Sequence, residues 1–386
     1  MQLDNRIGKE GEGMNPPIPV TRSSMPPLRE YIDEISSLWE SRWLTNMGAK
    51  HKAFEAMLKD RLGVADVVLF TNGHSALECA IEALGLGKDG RRKVVTTPFT
   101  FASTTHAIVR RGLEPVFADV READGTIDPE CVERLSGDPG VCAIMPVHVY
   151  GTLCDADAIA SIARDHGLKT IYDAAHAFGV EHAGKSAAAL GDVSMFSFHA
   201  TKAFNSIEGG ALCFSDPALV ASFDRLKNFG IAGPEDVECV GGNAKMNEFC
   251  AAMGICNLRH FDEEVAKRRV VAERYRDRLE GVCGLRLLPL QDGVKPNFAY
   301  MPVFFEGDAP AVRDAAMAAL AEAGVGSRKY FYPLTSEFAC YAGHFDPMAT
   351  PIALRLSRQV LCLPMYADLM LEDVDRICEI VKGCVQ

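Results

Sequence analysis

Short apolar runs rich in β-branched and aromatic residues recur along the first part of the chain. They stand at Val67–Phe70, Lys93–Thr97, Glu114–Ala118, Cys142–Val147, Lys169–Tyr172, Val193–Phe198 and Ala211–Phe214. These runs lack a clean polar alternation, the pattern of strands buried on both faces. Between most of them lie stretches with apolar residues at helical spacing, such as Ser75–Leu84 and Ala156–Asp165. The alternation predicts an α/β fold with a mostly parallel seven-stranded sheet covered by helices on both faces. The link from Phe198 to Ala211 is too short for a helical crossover, so the last two strands are expected to be antiparallel.

Two helical patterns, Leu28–Arg42 and His51–Leu62, precede the strands, and a long one runs from Lys245 to about Leu279. Beyond it the character changes. Strand runs at Leu285–Leu288 and Tyr300–Phe305 and helical runs at Ala309–Ala323 and Leu371–Lys382 predict a smaller α+β lobe. The expected division is a polar arm over 1–18, a large domain over 19–262 and a small C-terminal domain over 263–386.

Composition narrows the function. With 386 residues, 48% hydrophobic and 24% charged, the chain has the make-up of a globular enzyme. A formal charge of -12 argues against nucleic-acid or anionic-membrane partners, so any phosphate ligand must be held by local groups. No apolar run approaches the roughly 18 residues that span a bilayer. The N-terminal stretch MQLDNRIGKEGEGMNPP holds no hydrophobic segment, so no secretory signal is expected. The 13 cysteines are scattered without a Cys-x-x-Cys pair or a Cys/His metal spacing. That usage fits a reducing cytoplasm, with neither disulfides nor a metal site expected.

Gly85-Leu-Gly-Lys-Asp-Gly90 matches the dinucleotide fingerprint in letters but follows a helical pattern and precedes a strand. The fingerprint needs the reverse order, so this is a turn. Thr71-Asn-Gly-His-Ser75 does follow a strand and open a helix. Gly73 permits close backbone approach there, and free N–H groups at a helix start bind anions; the alternative is an ordinary cap by Asn72 or Ser75. Phe101 stands at the end of the next strand, where ligands bind in open α/β sheets, and either stacks on a flat ring or fills the core. Asp173 ends the run KTIYD; a buried carboxylate there needs a partner, either a pyridinium nitrogen or a sheet ion pair. Lys202 lies on a turn between two buried strands, whose rigid flanks suit a lysine that condenses with a carbonyl. Together with the polar strand end at Ser197, these residues describe a pocket for pyridoxal phosphate. Its phosphate would sit on the Gly73–Ser75 helix start, its ring against Phe101, its nitrogen on Asp173 and its aldehyde on Lys202.

WLTNMGAKHKAFE, FTNGHSALECAIEAL, TTPFTFASTTHAI, IMPVHVYG, IYDAAHAFG, SFHATKAFNSIEGGA and GGNAKMNEFCAAMG resemble, in order, the motifs of the DegT/DnrJ/EryC1/StrS sugar aminotransferases. The similarity is dense to about Met253 and thinner beyond. The resemblance implies the type I fold of pyridoxal-phosphate-dependent transferases and a homodimer with shared active sites. It also implies that Lys202 carries the cofactor, Asp173 meets the ring nitrogen, Phe101 stacks on the ring and His176 lies near the ring oxygen. Gly73, His74 and Ser197 match the phosphate cradle, and Asn243 would reach in from the neighbouring subunit. His74 departs from the family's usual threonine, and a lost hydroxyl contact could be replaced only by Ser75. Lys245 stands where many members have arginine. Tyr330 and Tyr332, in RKYFYP, either line the sugar site or form a packed aromatic pair.

The expected reaction is transfer of an amino group from L-glutamate, leaving 2-oxoglutarate, to a dTDP-linked 4-keto-6-deoxyhexose. Amination at C3 of a 3-keto sugar is the near alternative. A regulatory protein that binds the cofactor without turnover is the distant one.

Overall fold

The computed structural model describes residues 17–307 and 309–385, so most of the expected polar arm lies outside the described residues. All seven expected strands of the large sheet form, with ends shifted by at most a few residues. They are β1 (Asp66–Phe70), β2 (Lys93–Thr96), β3 (Glu114–Phe117), β4 (Val141–Ile144), β5 (Lys169–Asp173), β6 (Val193–Ser197) and β7 (Gly210–Phe214). Their order across the sheet is β1-β7-β6-β5-β4-β2-β3. Strands β2 to β6 run parallel, while β7 is antiparallel to both β6 and β1. The short link after β6 thus does what its length requires.

Register aligns the ends that matter. Ser197 pairs with Gly210 and Gly210 with Phe70, so one row crosses the carboxyl edges of β6 and β1, and Asp173, paired with Met195, ends β5 two residues short of that row. Helices α3 (Gly73–Ala83) and α4 (Ala102–Arg110) start directly beyond β1 and β2 and pack on one face with α7 (Ala218–Leu226). Helix α2 (Ala49–Leu62) and the start of α8 (Glu248–Leu279) cover the opposite face around a cluster of phenylalanines. α1 (Leu28–Ser41), α5 (Pro129–Ser136) and α6 (Ala156–His166) complete the large lobe. The Gly85–Gly90 match is a turn, with all three glycines at positive φ.

The small lobe holds a three-stranded antiparallel sheet of β8 (Leu285–Leu287), β9 (Met301–Phe305) and β10 (Val360–Leu363). Helices α9 (Ala309–Glu322), α10 (Pro351–Gln359) and α11 (Leu371–Gly383) surround it. Strand β10 and helix α10 have no counterpart among the sequence expectations. α10 runs into β10 without an intervening turn, so no punctuation marks the change. The expected boundary at 262 falls inside α8, which is unbroken there. Ala251 to Phe261 sit in the core under the large sheet, and Val271 to Leu279 sit in the small-lobe core. Ile18, expected in the arm, instead pairs with Val325 and is buried in the small-lobe core, because its apolar side chain gains cover there.

Candidate active site

A cavity of ≈ 790 Å³ opens at the carboxyl ends of β5 and β6, under Tyr300 and Tyr330 of the small lobe. Its lining includes Gly73, His74, Phe101, Asp173, His176, Ser197 and Lys202, residues drawn from four separate sequence blocks.

Lys202 is positioned by its neighbours in the chain. Phe204, two residues on, stacks on Phe178 at 4.2 Å between ring centroids and touches Phe198 and Phe261. The Lys202 N–H bonds to the carbonyl of His199, and the Ser206 N–H to that of Phe198. From upstream, the Ser23 hydroxyl donates to the Ala200 carbonyl at 2.7 Å, and Asn205 donates to the Ser24 carbonyl at 3.0 Å. A turn anchored on both sides aims the amine into the cavity, where Nζ donates to the Tyr300 hydroxyl at 3.4 Å. Burial pulls the Lys202 ammonium down to about 8, and the charge of Asp173 opposes that shift.

Asp173 ends β5 with its carboxylate buried. Oδ2 accepts from the Thr104 hydroxyl at 2.7 Å, and Oδ1 accepts from the Ala175 N–H at 3.1 Å. Burial raises its pKa above the usual carboxylate value, with those two hydrogen bonds and Lys202 pulling the other way. No ion pair in the sheet supports it among the described residues, so the carboxylate has capacity for one more donor.

The helix start beside it is built by tight packing. Asn72 caps α3, its side chain accepting from the Ser75 N–H at 2.8 Å. That bond uses the donor of Ser75, which does not line the cavity, and leaves Gly73 and His74, whose N–H groups have no partner within the helix, at the cavity wall. A Cβ on Gly73 would meet Met195 Sδ at 2.8 Å and Ser197 Cβ at 3.2 Å. A Cβ on Gly210 would meet the Asn72–Gly73 peptide at 2.6 Å. Two glycines therefore let the helix start lie flat on the strand row, an arrangement suited to a phosphate. The imidazole of His74 turns to the Ser103 hydroxyl, with Nδ1 at 3.0 Å from Oγ.

His176 is buried, and its Nδ1 accepts from the Tyr150 N–H at 3.1 Å. Burial first, then the charge of Lys202, pulls its pKa well down, so the ring is neutral and carries its proton on Nε2. Asn297 holds the loop behind it, donating to the carbonyls of His176 and Phe178. Phe101 is 58% exposed at the cavity wall and is not a core phenylalanine.

Three expected site residues fall elsewhere. Ser75 caps its own helix, as described. Tyr332 lines an adjoining cavity. Asn243 is exposed and accepts from Lys245 Nζ at 2.9 Å, outside the cavity of its own chain. Conversely, Thr104, Tyr150, Tyr300 and Phe331 contribute contacts that the sequence reading does not single out. Thr104 has a signal in hindsight, since it lies one helical turn after Phe101. Tyr300 has none.

Comparison with known proteins agrees with this geometry. The family model described as DegT/DnrJ/EryC1/StrS aminotransferase family matches residues 28–382. A dTDP-4-amino-4,6-dideoxy-D-glucose transaminase of Shigella dysenteriae is 39% identical, over 96% of this chain and 99% of its own length. Its Escherichia coli namesake is 38% identical, over 95% of this chain and 98% of its own. The crystal structure of DesI in the presence of its TDP-sugar product superposes with a TM-score of 0.90 at 33% identity, covering 96% of this chain and 94% of DesI. A half-buried lysine that shares one cavity with a carboxylate and a helix start is thus set in a chain matched almost end to end, and the protein belongs to the DegT/DnrJ/EryC1/StrS aminotransferase family.

Proposed function

We propose that this aminotransferase moves the amino group of L-glutamate to a dTDP-linked 4-keto-6-deoxyhexose, with pyridoxal 5'-phosphate as cofactor and a homodimer as the working unit. The observation that carries the cofactor assignment is the juxtaposition in one cavity of Lys202, Asp173 and the α3 start. The nucleotide and the C4 position rest on the names of the most similar relatives, dTDP-4-amino-4,6-dideoxy-D-glucose transaminases.

The residues present fit that cofactor. The Gly73 and His74 N–H groups and the Ser197 side chain would hold its phosphate, and Phe101 would cover one ring face. The Asp173 carboxylate would accept the ring N–H, and His176 Nε2–H would donate to the ring oxygen. When bound, pyridoxal phosphate supplies an electron sink for the charge left by a broken C–H bond. Lys202 supplies the proton transfer. Its amine holds a lowered pKa, so it can take a proton from the donor's Cα and return one at the neighbouring carbon near neutral pH. An ionised Asp173 would hold a positive hydrogen-bond donor on the ring nitrogen, and the hydrogen bonds from Thr104 and Ala175 favour that form against its burial.

Asn243 is exposed and outside the cavity of its own chain, and in the proposed homodimer it would complete the phosphate cradle of the second copy. No helix among the described residues is long and apolar enough to cross a membrane, which is compatible with a cytoplasmic enzyme.

The test is the absorbance of the yellow cofactor-loaded protein. Glutamate should bleach it, and dTDP-4-keto-6-deoxyglucose should then restore it. Restoration only by a 3-keto sugar would move the amination to C3, and no response to any amino donor would remove the transamination.

A further inference from the structure

Tyr300 enters the cavity from the small lobe, in the segment that leads into β9. Two links fix where its ring stands. Asn297, three residues earlier, accepts from the Ala299 N–H at 3.1 Å while its amide donates to the carbonyls of His176 and Phe178. The approach to β9 is thereby bound to the loop after β5. The ring then packs on His176 at 4.6 Å and meets Tyr150 and Tyr330 edge-on, at 5.8 Å and 6.0 Å between centroids. Held on three sides, its hydroxyl has one hydrogen-bond partner among the described residues, Nζ of Lys202 at 3.4 Å.

That partner changes its needs during amino transfer. The Lys202 nitrogen is in turn a free amine that takes a proton and an ammonium that returns one. An ammonium offers only donors, whereas a free amine also presents a lone pair that wants one. A carboxylate would serve the ammonium alone and hold the proton there. A phenol serves both, because its O–H can turn to donate to the amine and its oxygen can accept from the ammonium. Burial raises the Tyr300 pKa well above its usual value, and the charge of the buried Arg268 opposes that only in part. The phenol therefore keeps its own proton in both states. The 3.4 Å separation is long for a hydrogen bond, which suits a partner that must release the amine to condense with a carbonyl and take it back afterwards.

We infer that Tyr300 is a positioning residue for the proton transfer, its hydroxyl holding the Lys202 nitrogen in place both as amine and as ammonium. This role rests on the transamination proposed above. No proton passes through the phenol, and no covalent bond to Tyr300 forms or breaks. The contact also gives the small lobe a direct hold on an amine that the large lobe supplies.

The experiment compares wild type with Tyr300→Phe, which keeps a ring on His176 and removes only the hydroxyl. In the cofactor-loaded enzyme kcat should fall about tenfold, with the glutamate KM and the affinity for pyridoxal phosphate within about twofold. The effect on kcat of deuterium at the glutamate Cα should rise, because a misplaced amine slows the proton transfer itself. In cofactor-free protein above about pH 8, an amine-selective reagent should modify Lys202 at least about threefold faster in Tyr300→Phe, since the lone pair has lost its donor. Equal kcat and equal modification rates in the two proteins would overturn the role. A fall in kcat matched by weaker cofactor binding, with isotope effect and modification rate unaltered, would limit Tyr300 to packing and also overturn it. Faster modification in Tyr300→Phe, from a wild type that transfers no amino group, would instead remove the transamination and the role with it, while leaving the contact between the two side chains.

Discussion

The hydroxyl of Thr104 donates a 2.7 Å hydrogen bond to Oδ2 of Asp173, tying the first turn of α4 to the end of β5. The bond favours the ionised carboxylate against burial, which pushes the other way. Thr104→Val keeps the shape and removes the donor, so the Asp173 pKa should rise further. A hydrogen bond to a charged group contributes about 1.5–3 kcal/mol. Turnover should therefore fall about 10- to 100-fold, with Thr104→Ser recovering most of it. A kcat–pH profile checks this: the acid limb should move to higher pH in Thr104→Val, and an unmoved limb would limit Thr104 to packing.

Asp173→Asn should retain the cofactor, because the phosphate and ring contacts do not depend on the charge. It should slow turnover by at least about 100-fold, since a neutral amide no longer favours a protonated ring nitrogen. Single-turnover rates with glutamate measure the effect. Unchanged rates would remove the electronic role of the carboxylate.

Lys202 should react as an unusually acidic lysine. Its pKa is lowered to about 8, so the ammonium dominates below that pH and the free amine above it. In cofactor-free protein, modification of Lys202 by an amine-selective reagent, followed by peptide mass spectrometry, should accelerate about tenfold per pH unit up to about 8 and then level off. Asp173→Asn should move the midpoint lower, because the opposing negative charge is gone. An inflection at the ordinary lysine value would contradict the buried setting. Lys202→Ala should abolish transamination altogether.

Gly73→Ala should separate the helix start from the strand row. Its new Cβ would lie 2.8 Å from Met195 Sδ, a side-chain tip that can shift, and 3.2 Å from Ser197 Cβ, which cannot shift far. Overpacking of this kind costs about 1–3 kcal/mol. The expected results are a lower Tm and weaker cofactor affinity, read by thermal melts and by titration with pyridoxal phosphate. Unaltered affinity would mean that the helix start is not the phosphate cradle.

Much of the fold was legible because a parallel sheet buried on both faces demands short continuous apolar runs, and this chain punctuates them with glycine and polar turns. The pair Val193–Ser197 and Gly210–Phe214 was legible as antiparallel from link length alone. Strand Val360–Leu363 was not, since it continues α10 without a break and its four residues fit a helix equally well. Ser75 shows the limit of a motif at atomic detail. The same helix start that exposes Gly73 and His74 spends the Ser75 N–H on Asn72, and only the geometry separates those donors.

What the sequence by itself determined are the features that depend on near neighbours. These include the strand–turn setting of Lys202, the terminal position of Asp173, and the glycine that opens α3 after β1. What only the tertiary structure decided are the contacts between distant segments. Thr104 reaches Asp173, 69 residues away, and Tyr300 meets Lys202, 98 residues away. Tyr332 faces a cavity that adjoins the one over Phe101. Local propensity and hydrophobic period act over a few residues, whereas these meetings follow from strand order and lobe packing. Both are set by how the whole chain buries its apolar surface.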